Sequence, residues 1–483
     1  LLTGIYNITA YGAQPNQSEL ATPAVQAAID AAAAVGGGVV LVPPGTYRIG
    51  TIFLKSNITL ELQAGAVLVG SPNISDYPVR PYGQIWPHDP QTEWYHLIIA
   101  ENAVDVTLRG PGRIDGNGPA FRHTAAGPRM WMEMIKPRVE AMVHFRNCRN
   151  VRVLDVCLDD SPAWNLHFYD CDNVWVRGLQ ISGALFGPNI DGIDVQGCRD
   201  VLISDCQICT GDDAIVCFPS RERDCERVTV TNCSLETNCV PFKAYVVDDR
   251  AVRDLTFSNS TIIRSTRGVA LYMFNQGVIE NVLVSNVVIN TESGFWLNRP
   301  LQIDARRFDK MVAVPDSAPR GVIRNVQFSN LVIRTDGRII FTAADDLQAE
   351  NVVLRDIRII YPVVEDPKAY GDVRSSQFNL HSPEARAARA AVVVDNVKQL
   401  TLENVQVSWP DGNRPEPWRG LLDGQGQPKP YPRLPDADPP AFSVLWARRV
   451  RQGYIHNPLA RPFLNAPRYD VADCTDLTLD PPR

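Results

Sequence analysis

The residues best suited to chemistry are three carboxylates close together in the chain, Asp191, Asp212 and Asp213. They stand in Gly187-Pro188-Asn189-Ile190-Asp191-Gly192 and Gly211-Asp212-Asp213-Ala214, inside a region of strand-like runs. Carboxylates held near one another repel, so at least one should keep its proton to a higher pH than the others. An acid and a base available at one pH is what hydrolysis of a glycosidic bond requires. The plain alternative weighs evenly, because Asp-Asp and Asn-x-Asp-Gly are also common turn residues. For Asp194 the turn reading is favoured.

Elements must bring these side chains together, and the chain carries a repeat that can. A phrase recurs: an Asn- or Asp-bearing turn, a small residue or Cys, then an alternating apolar strand. It appears at Glu101–Leu108, Asn147–Val153, Asp170–Val176, Gly197–Ile203 and Asp224–Val230, with weaker copies at Val278, Val322, Gln348 and Asn396. Cys148, Cys171, Cys198 and Cys225 are spaced by 171−148 = 23, 198−171 = 27 and 225−198 = 27 residues. Such a period, with several short strands and no helix in each unit, is the mark of a solenoid. The expected fold is all-β, a right-handed parallel β-helix with one rung per repeat. In register, Asp191, Asp212 and Asp213 can project from neighbouring strands on one face.

The chain has 11 Cys, ten of them between Cys148 and Cys239. Stacking makes the four repeat cysteines an internal ladder of small apolar side chains, favoured over disulfides or a metal site. Cys206-x-x-Cys209 stands without a matching pair. No metal and no cofactor is expected.

At the N-terminal end, Thr22 as N-cap, Pro23 at the first position and Ala24–Val35 predict one helix, stopped by Gly36-Gly37-Gly38. It should cover the open end of the strand stack. Val39–Val42, Ile52–Leu54, Ile58–Leu62 and Ala66–Val69 read as strands, and Pro43–Tyr47 as a turn. The organisation expected is a single β-helix domain over 1–483: a cap and first rungs over 1–75, central rungs over 100–360, and loop-rich closing rungs over 361–483. Long loops near 75–95, 365–390 and 410–440 would close one end of a cleft and favour attack on chain ends.

The net charge of −7 argues against a nucleic-acid partner. No run of eighteen apolar residues is present, so no membrane span is expected. Six sequons, at Asn7, Asn16, Asn57, Asn73, Asn232 and Asn259, permit glycosylation on a secretory route, or equally are turn residues of an Asn-rich repeat. A secreted or periplasmic location is expected, with no signal segment at Leu1–Asn7.

Taken together and in order, several phrases resemble glycoside hydrolase family 28, the polygalacturonase family, in a diverged bacterial-type branch. They are Val42–Tyr47, Lys136-Pro137-Arg138, Ser161–His167, Asn189-Ile190-Asp191-Gly192 and Gly211–Ala214, and the likeness covers residues 4 to 360. The resemblance implies a right-handed parallel β-helix and inverting hydrolysis of a polysaccharide or oligosaccharide. It implies Asp212 as general acid, with Asp191 and Asp213 activating water. The stretch that matches the family's Gly-His-Gly, Asn238-Cys239-Val240-Pro241-Phe242-Lys243, has no His, and in Gly268-Val269-Ala270-Leu271-Tyr272 Ala270 and Tyr272 replace the Arg and Lys of its Arg-Ile-Lys. The groups that read polygalacturonate are thus replaced, and another pectin-type or acidic plant-wall glycan is the expected substrate.

Further substrate-binding candidates follow. Asn189 belongs to the carboxylate phrase. Lys243 could hold a substrate carboxylate or offset the aspartates' repulsion. Arg267 could take over carboxylate binding through its planar fork, although a solvated turn arginine is the favoured reading, and Tyr272 stands where the family has Lys. His167 is equally a cleft-lining or a packed histidine, and Trp296 equally a sugar-stacking or a core residue. Two other classes compete: a β-helical lyase with Lys243 or Arg267 as base, and a non-catalytic carbohydrate-binding β-helix.

Overall fold

In the computed structural model, residues 4–82, 92–123, 132–247, 249–292, 298–307, 320–362, 364, 382–410 and 441–480 are described. The fold is the right-handed parallel β-helix expected from the repeat. The chain divides into two compact units, Leu1–Ser234 and Leu235–Arg483.

The first unit stacks its strands in three parallel arrays. One comprises Ile52–Leu54, Ile98–Glu101, Val143–Arg146, Leu166–Tyr169, Ile193–Gln196 and Ile215–Phe218, each in register with the next. A second runs from Gly38–Val42 through Arg149–Leu154 and Asp172–Arg177 to Cys225–Thr231. The third runs from Gly45–Ile49 to Gln207–Thr210. Gly45–Ile49 being a strand corrects the expected turn over Pro43–Tyr47: only the prolines turn, since Pro lacks the N–H a ladder needs.

The corners explain the Asn and Asp of the repeat. Asn102, Asn147 and Asp170 have φ of 53°, 51° and 53°, and the next corner repeats this at Asp105, Asn150, Asn173 and Asp200. These are left-handed conformations, which short polar side chains tolerate better than others. Stacked corners then bond to each other, Asn173 Nδ2 to Asn150 Oδ1 at 2.7 Å and Asn150 Nδ2 to Asp105 Oδ1 at 2.9 Å. Four of the six sequon asparagines, Asn16, Asn57, Asn232 and Asn259, occupy such left-handed positions.

The cysteines stack as expected. The Sγ atoms of Cys148, Cys171 and Cys198 donate to main-chain carbonyls of Ala100, Phe145 and Phe168 at 3.4 Å, and all eleven cysteines are reduced thiols. The helix spans Thr22–Ala34 and buries Ala24, Val25, Ala28, Ile29 and Ala32 against the first strands. Its N-cap is Ala21 rather than Thr22, because the Thr22 hydroxyl instead accepts from the Gly50 N–H at 2.7 Å. Gly36 and Gly37 close it with left-handed φ and N–H bonds to Ala33 and Ala32.

The second unit continues the same logic with longer strands. Ala251–Ser265, Val278–Thr291, Val322–Thr335, Gln348–Ile360 and Val397–Ser408 pair in parallel. Opposite them run Phe242–Val246, Arg267–Phe274, Arg299–Arg306, Ile339–Ala343, Ala390–Asp395 and Ser443–Arg448. Asparagine ladders recur here, Asn351 to Asn325 at 2.8 Å and Asn325 to Asn281 at 3.0 Å. No helix among the described residues is long and apolar enough to cross a membrane.

Candidate active site

In the first unit the carboxylates come from bends that enter strands, not from the strands themselves. Asp191 stands two residues before Ile193 and Asp213 two before Ile215, and Ile193 and Ile215 are register partners. The stacking of rungs therefore puts Asp191 and Asp213 at equivalent positions on adjacent turns. Main-chain bonds lock this arrangement: Gly192 N–H to the Asp213 carbonyl at 2.9 Å, and Asn165 N–H to the Asp191 carbonyl at 3.0 Å. The Asn165 side chain adds a second bond to the Asp191 carbonyl at 2.8 Å. Asp191 and Asp213 are buried, while Asp212 is half-buried.

Asp212 is held by two main-chain donors. Its Oδ2 accepts from the Asn189 N–H and its Oδ1 from the Asp213 N–H, both at 3.1 Å. One of its carboxylate oxygens lies within 4.8 Å of one from Asp213. Glycine permits the bend: a Cβ on Gly211 would fall 2.4 Å from the Ala184 carbonyl oxygen, and one on Gly192 2.3 Å from that of Ala214.

Arg138 supports this constellation, a role that sequence reasoning missed. It is 3 % exposed. Its guanidinium donates to Glu140 Oε1 at 3.1 Å, to the Pro162 carbonyl at 2.8 Å, and to the Pro188 carbonyl and Asn189 Oδ1 at 3.3 Å. The phrase Lys136-Pro137-Arg138, part of the family likeness, was the available signal. A cavity of about 480 Å³ opens here, lined by Thr92, Glu93, Tyr95, Lys136, Arg138 and Glu140.

His167 is fully buried, so it packs rather than lines an open cleft. Its Nε2 lies 3.1 Å from Gln196 Oε1, and its ring is 4.9 Å from that of His144, which stacks at 4.4 Å on His96. Burial pushes His96 down to about 4 and His167 to about 3, and lowers His144 well below the usual imidazole range. Asp194 corrects the turn expectation: it lies in the strand Ile193–Gln196, register partner of His167, and is 1 % exposed.

In the second unit, Lys243, Arg267 and Tyr272 fall in neighbouring strands. Tyr245 pairs with Tyr272 in register, and the Lys243 ammonium lies 4.9 Å from the Tyr245 ring centre. Arg267 and Tyr272 are buried, at 1 % and 2 % exposure. Burial raises the Tyr272 hydroxyl, an effect opposed by Arg267, Arg299 and Lys243. Trp296 and most of the loops near 75–95, 365–390 and 410–440 lie outside the described residues.

Residues 42–370 match the family described as Glycosyl hydrolases family 28. The chain belongs to that family. Residues 5–78 also match a family described as Rhamnogalacturonase A/epimerase, pectate lyase-like. A probable polygalacturonase of Vitis vinifera is 32% identical over 186 residues, 37% of this chain and 36% of the relative. Polygalacturonase QRT2 of Arabidopsis thaliana is 25% identical over 328 residues, 64% of this chain and 67% of the relative. The chain thus spans between about a third and two thirds of the length of these relatives. The solved exopolygalacturonase of Thermotoga maritima shares the fold with a TM-score of 0.62 at 21% identity, over 84% of this chain and 92% of that one.

Proposed function

We propose that this family 28 chain is an inverting glycosidase acting on a pectin-type polysaccharide or its oligomers. Asp212 is the general acid, and Asp191 and Asp213 together activate water. The observation that carries this reading is the register that sets Asp191 and Asp213 at equivalent positions on adjacent rungs, with an Asp212 carboxylate oxygen within 4.8 Å of one from Asp213, since carboxylates this close push one another toward the protonated form. Fixed carboxylates need no reorganisation as charge develops on the sugar. Lys243, Arg267, Tyr272 and Asn189 are assigned to substrate binding, with Trp296 a stacking candidate.

Plain polygalacturonan is a poor substrate on this reading, because Ala270 and Tyr272 stand where the family has Arg and Lys. A pectic polymer as substrate fits a secreted or periplasmic location.

The test is a reducing-end and ultraviolet-absorbance screen over pectic polymers and oligomers, with wild type and Asp212→Asn in parallel. Reducing ends without absorbance, lost in the variant, are expected. An absorbing, unsaturated product would sink hydrolysis in favour of elimination. Proton NMR of the first product anomer checks inversion.

A further inference from the structure

We propose that the cavity beside Arg138 binds one uncharged sugar unit of the glycan held at the carboxylates. The choice of a sugar rests on the glycosidase reading, whereas the preference for an uncharged one rests on the cavity's own charges.

The cavity holds about 480 Å³ and, among the described residues, is walled by parts of two stretches, 92–95 and 136–140. Its volume falls in the range of roughly 300–1,000 Å³ common for small-molecule sites. The walls are fixed before any ligand arrives. The Glu140 N–H donates to the Tyr95 carbonyl at 2.8 Å, which ties the two stretches together. Both run into one aromatic cluster: Trp94 and Ala141 pack with Trp164 and Tyr169, and the Trp94 and Trp164 ring centres lie 6.0 Å apart. The Trp94 main chain also exchanges hydrogen bonds with that of Arg80, at 2.8 and 3.0 Å. A wall braced in this way loses little freedom on binding.

The cavity adjoins the candidate general acid. Arg138 forms part of its wall and donates to Asn189 Oδ1 at 3.3 Å, and the Asn189 N–H donates to Asp212 Oδ2 at 3.1 Å. A glycan whose scissile bond lies at Asp212 therefore brings a neighbouring unit to the cavity. Every residue in this chain of contacts belongs to the first unit.

Charge decides which kind of unit fits. The lining holds two cations, Lys136 and Arg138, and two anions, Glu93 and Glu140, so none is in surplus. Arg138 is committed to protein acceptors, its Nε to Glu140 Oε1 and its other nitrogens to Pro162, Pro188 and Asn189. The Lys136 ammonium lies 3.8 Å from the same Glu140 oxygen. A uronate carboxylate placed here would meet Glu93 and Glu140, and like charges brought together cost binding. A sugar bearing only hydroxyls both donates and accepts. It can donate to the Glu140 carboxylate, accept from the Lys136 ammonium and pair either way with the Thr92 hydroxyl. Tyr95, half-buried, offers a ring face for the apolar side of a pyranose. Thr92 and Tyr95 thus gain a role that no sequence motif picked out.

The experiment is calorimetric binding of three galacturonate oligosaccharides of equal length: a plain one, one alternating with rhamnose, and one bearing xylose branches. The proteins are Asp212→Asn, which should turn nothing over, and Asp212→Asn combined with Tyr95→Ala, each checked by circular dichroism and thermal melts. At least one of the two oligomers with uncharged sugar should bind Asp212→Asn more tightly than the plain one. Adding Tyr95→Ala should weaken that oligomer roughly tenfold, the scale of one aromatic anchor, and leave the plain one nearly unchanged.

Oligomers with uncharged sugar that bind no more tightly than the plain one would overturn the proposal. So would a Tyr95→Ala loss that is absent, or equal for all three. If the Tyr95→Ala protein does not fold, Thr92→Ala, at an exposed position, takes its place. A selective loss of roughly threefold is then expected, the value of one neutral hydrogen bond, and no selective loss overturns the proposal. Reducing-end assays on wild type stand apart from this. Failure of every glycan to yield reducing ends would sink the hydrolase reading and leave the binding result standing.

Discussion

The main-chain N–H of Asn189 donates to Oδ2 of Asp212 at 3.1 Å, and Asn189 does so from a left-handed conformation with φ 57°. The residue is thus chosen for its backbone as well as its side chain. Asn189→Gly keeps the bend and loses the contact to Arg138, so kcat on the substrate identified by the glycan screen should fall roughly tenfold. Asn189→Val forces a β-branched residue into the left-handed region, at about 1–2 kcal/mol, and should lower kcat further. Steady-state kinetics and chemical denaturation of both variants check the order; equal kcat values would show that the bend does not position Asp212.

Arg138 gathers acceptors from two loops and from Glu140. Arg138→Lys retains charge but lacks the fork that reaches all of them. The expected outcome is a kcat reduced about tenfold or more, with KM changed little, since the loss is of carboxylate geometry rather than sugar contact. A rise in KM at constant kcat would instead place Arg138 in substrate binding.

The stacked His96, His144 and His167 make the first unit sensitive to acid. Their folded-state pKa values are depressed by burial, to about 4 for His96 and about 3 for His167. The unfolded chain takes up protons below about 6.5 while the folded one does not. Stability from these groups is therefore complete above that pH and is lost as pH falls toward 4, on the order of 3 kcal/mol for His96 alone. His144, whose two ring nitrogens have no hydrogen-bond partner among the described residues, tests this without breaking a bond found there. His144→Phe should lose less stability than wild type between pH 7.5 and about 4.5 in urea titrations. Parallel losses in the two proteins would refute a contribution from His144.

The cysteine ladder should be chemically silent. Cys148, Cys171, Cys198 and Cys225 are buried, and their pKa values are pushed up, by a neighbouring thiol and then burial for Cys148 and Cys225 and chiefly by burial for Cys171 and Cys198, which suppresses the reactive thiolate. A colorimetric thiol titration of native protein should detect only Cys157, Cys209 and Cys474, the three that are not buried. Denaturant should release the remaining eight (11−3). Rapid modification of all eleven in native protein would contradict the packed ladder.

Much of the architecture was legible in the chain itself. Spacing of Cys148, Cys171, Cys198 and Cys225 announced rungs, and Asn147, Asp170 and Gly197 before the first three sit in the left-handed region, a backbone need that leaves a mark in sequence. The phrases around Asp191 and Asp212-Asp213 were visible for the same local reason, with glycines where a Cβ would strike main chain.

What the sequence determined by itself was thus the period, the corners and the identity of the carboxylates. Only the tertiary structure decided which side chains meet. Register set Asp191 and Asp213 on equivalent positions, placed Arg138 under Asn189, buried His167 among aromatic rings and put Arg299 beside Arg267. Those relations join residues tens of positions apart, through loops of unequal length. Spacing along the chain records local backbone needs, whereas long-range hydrogen bonds and burial depend on how successive rungs stack.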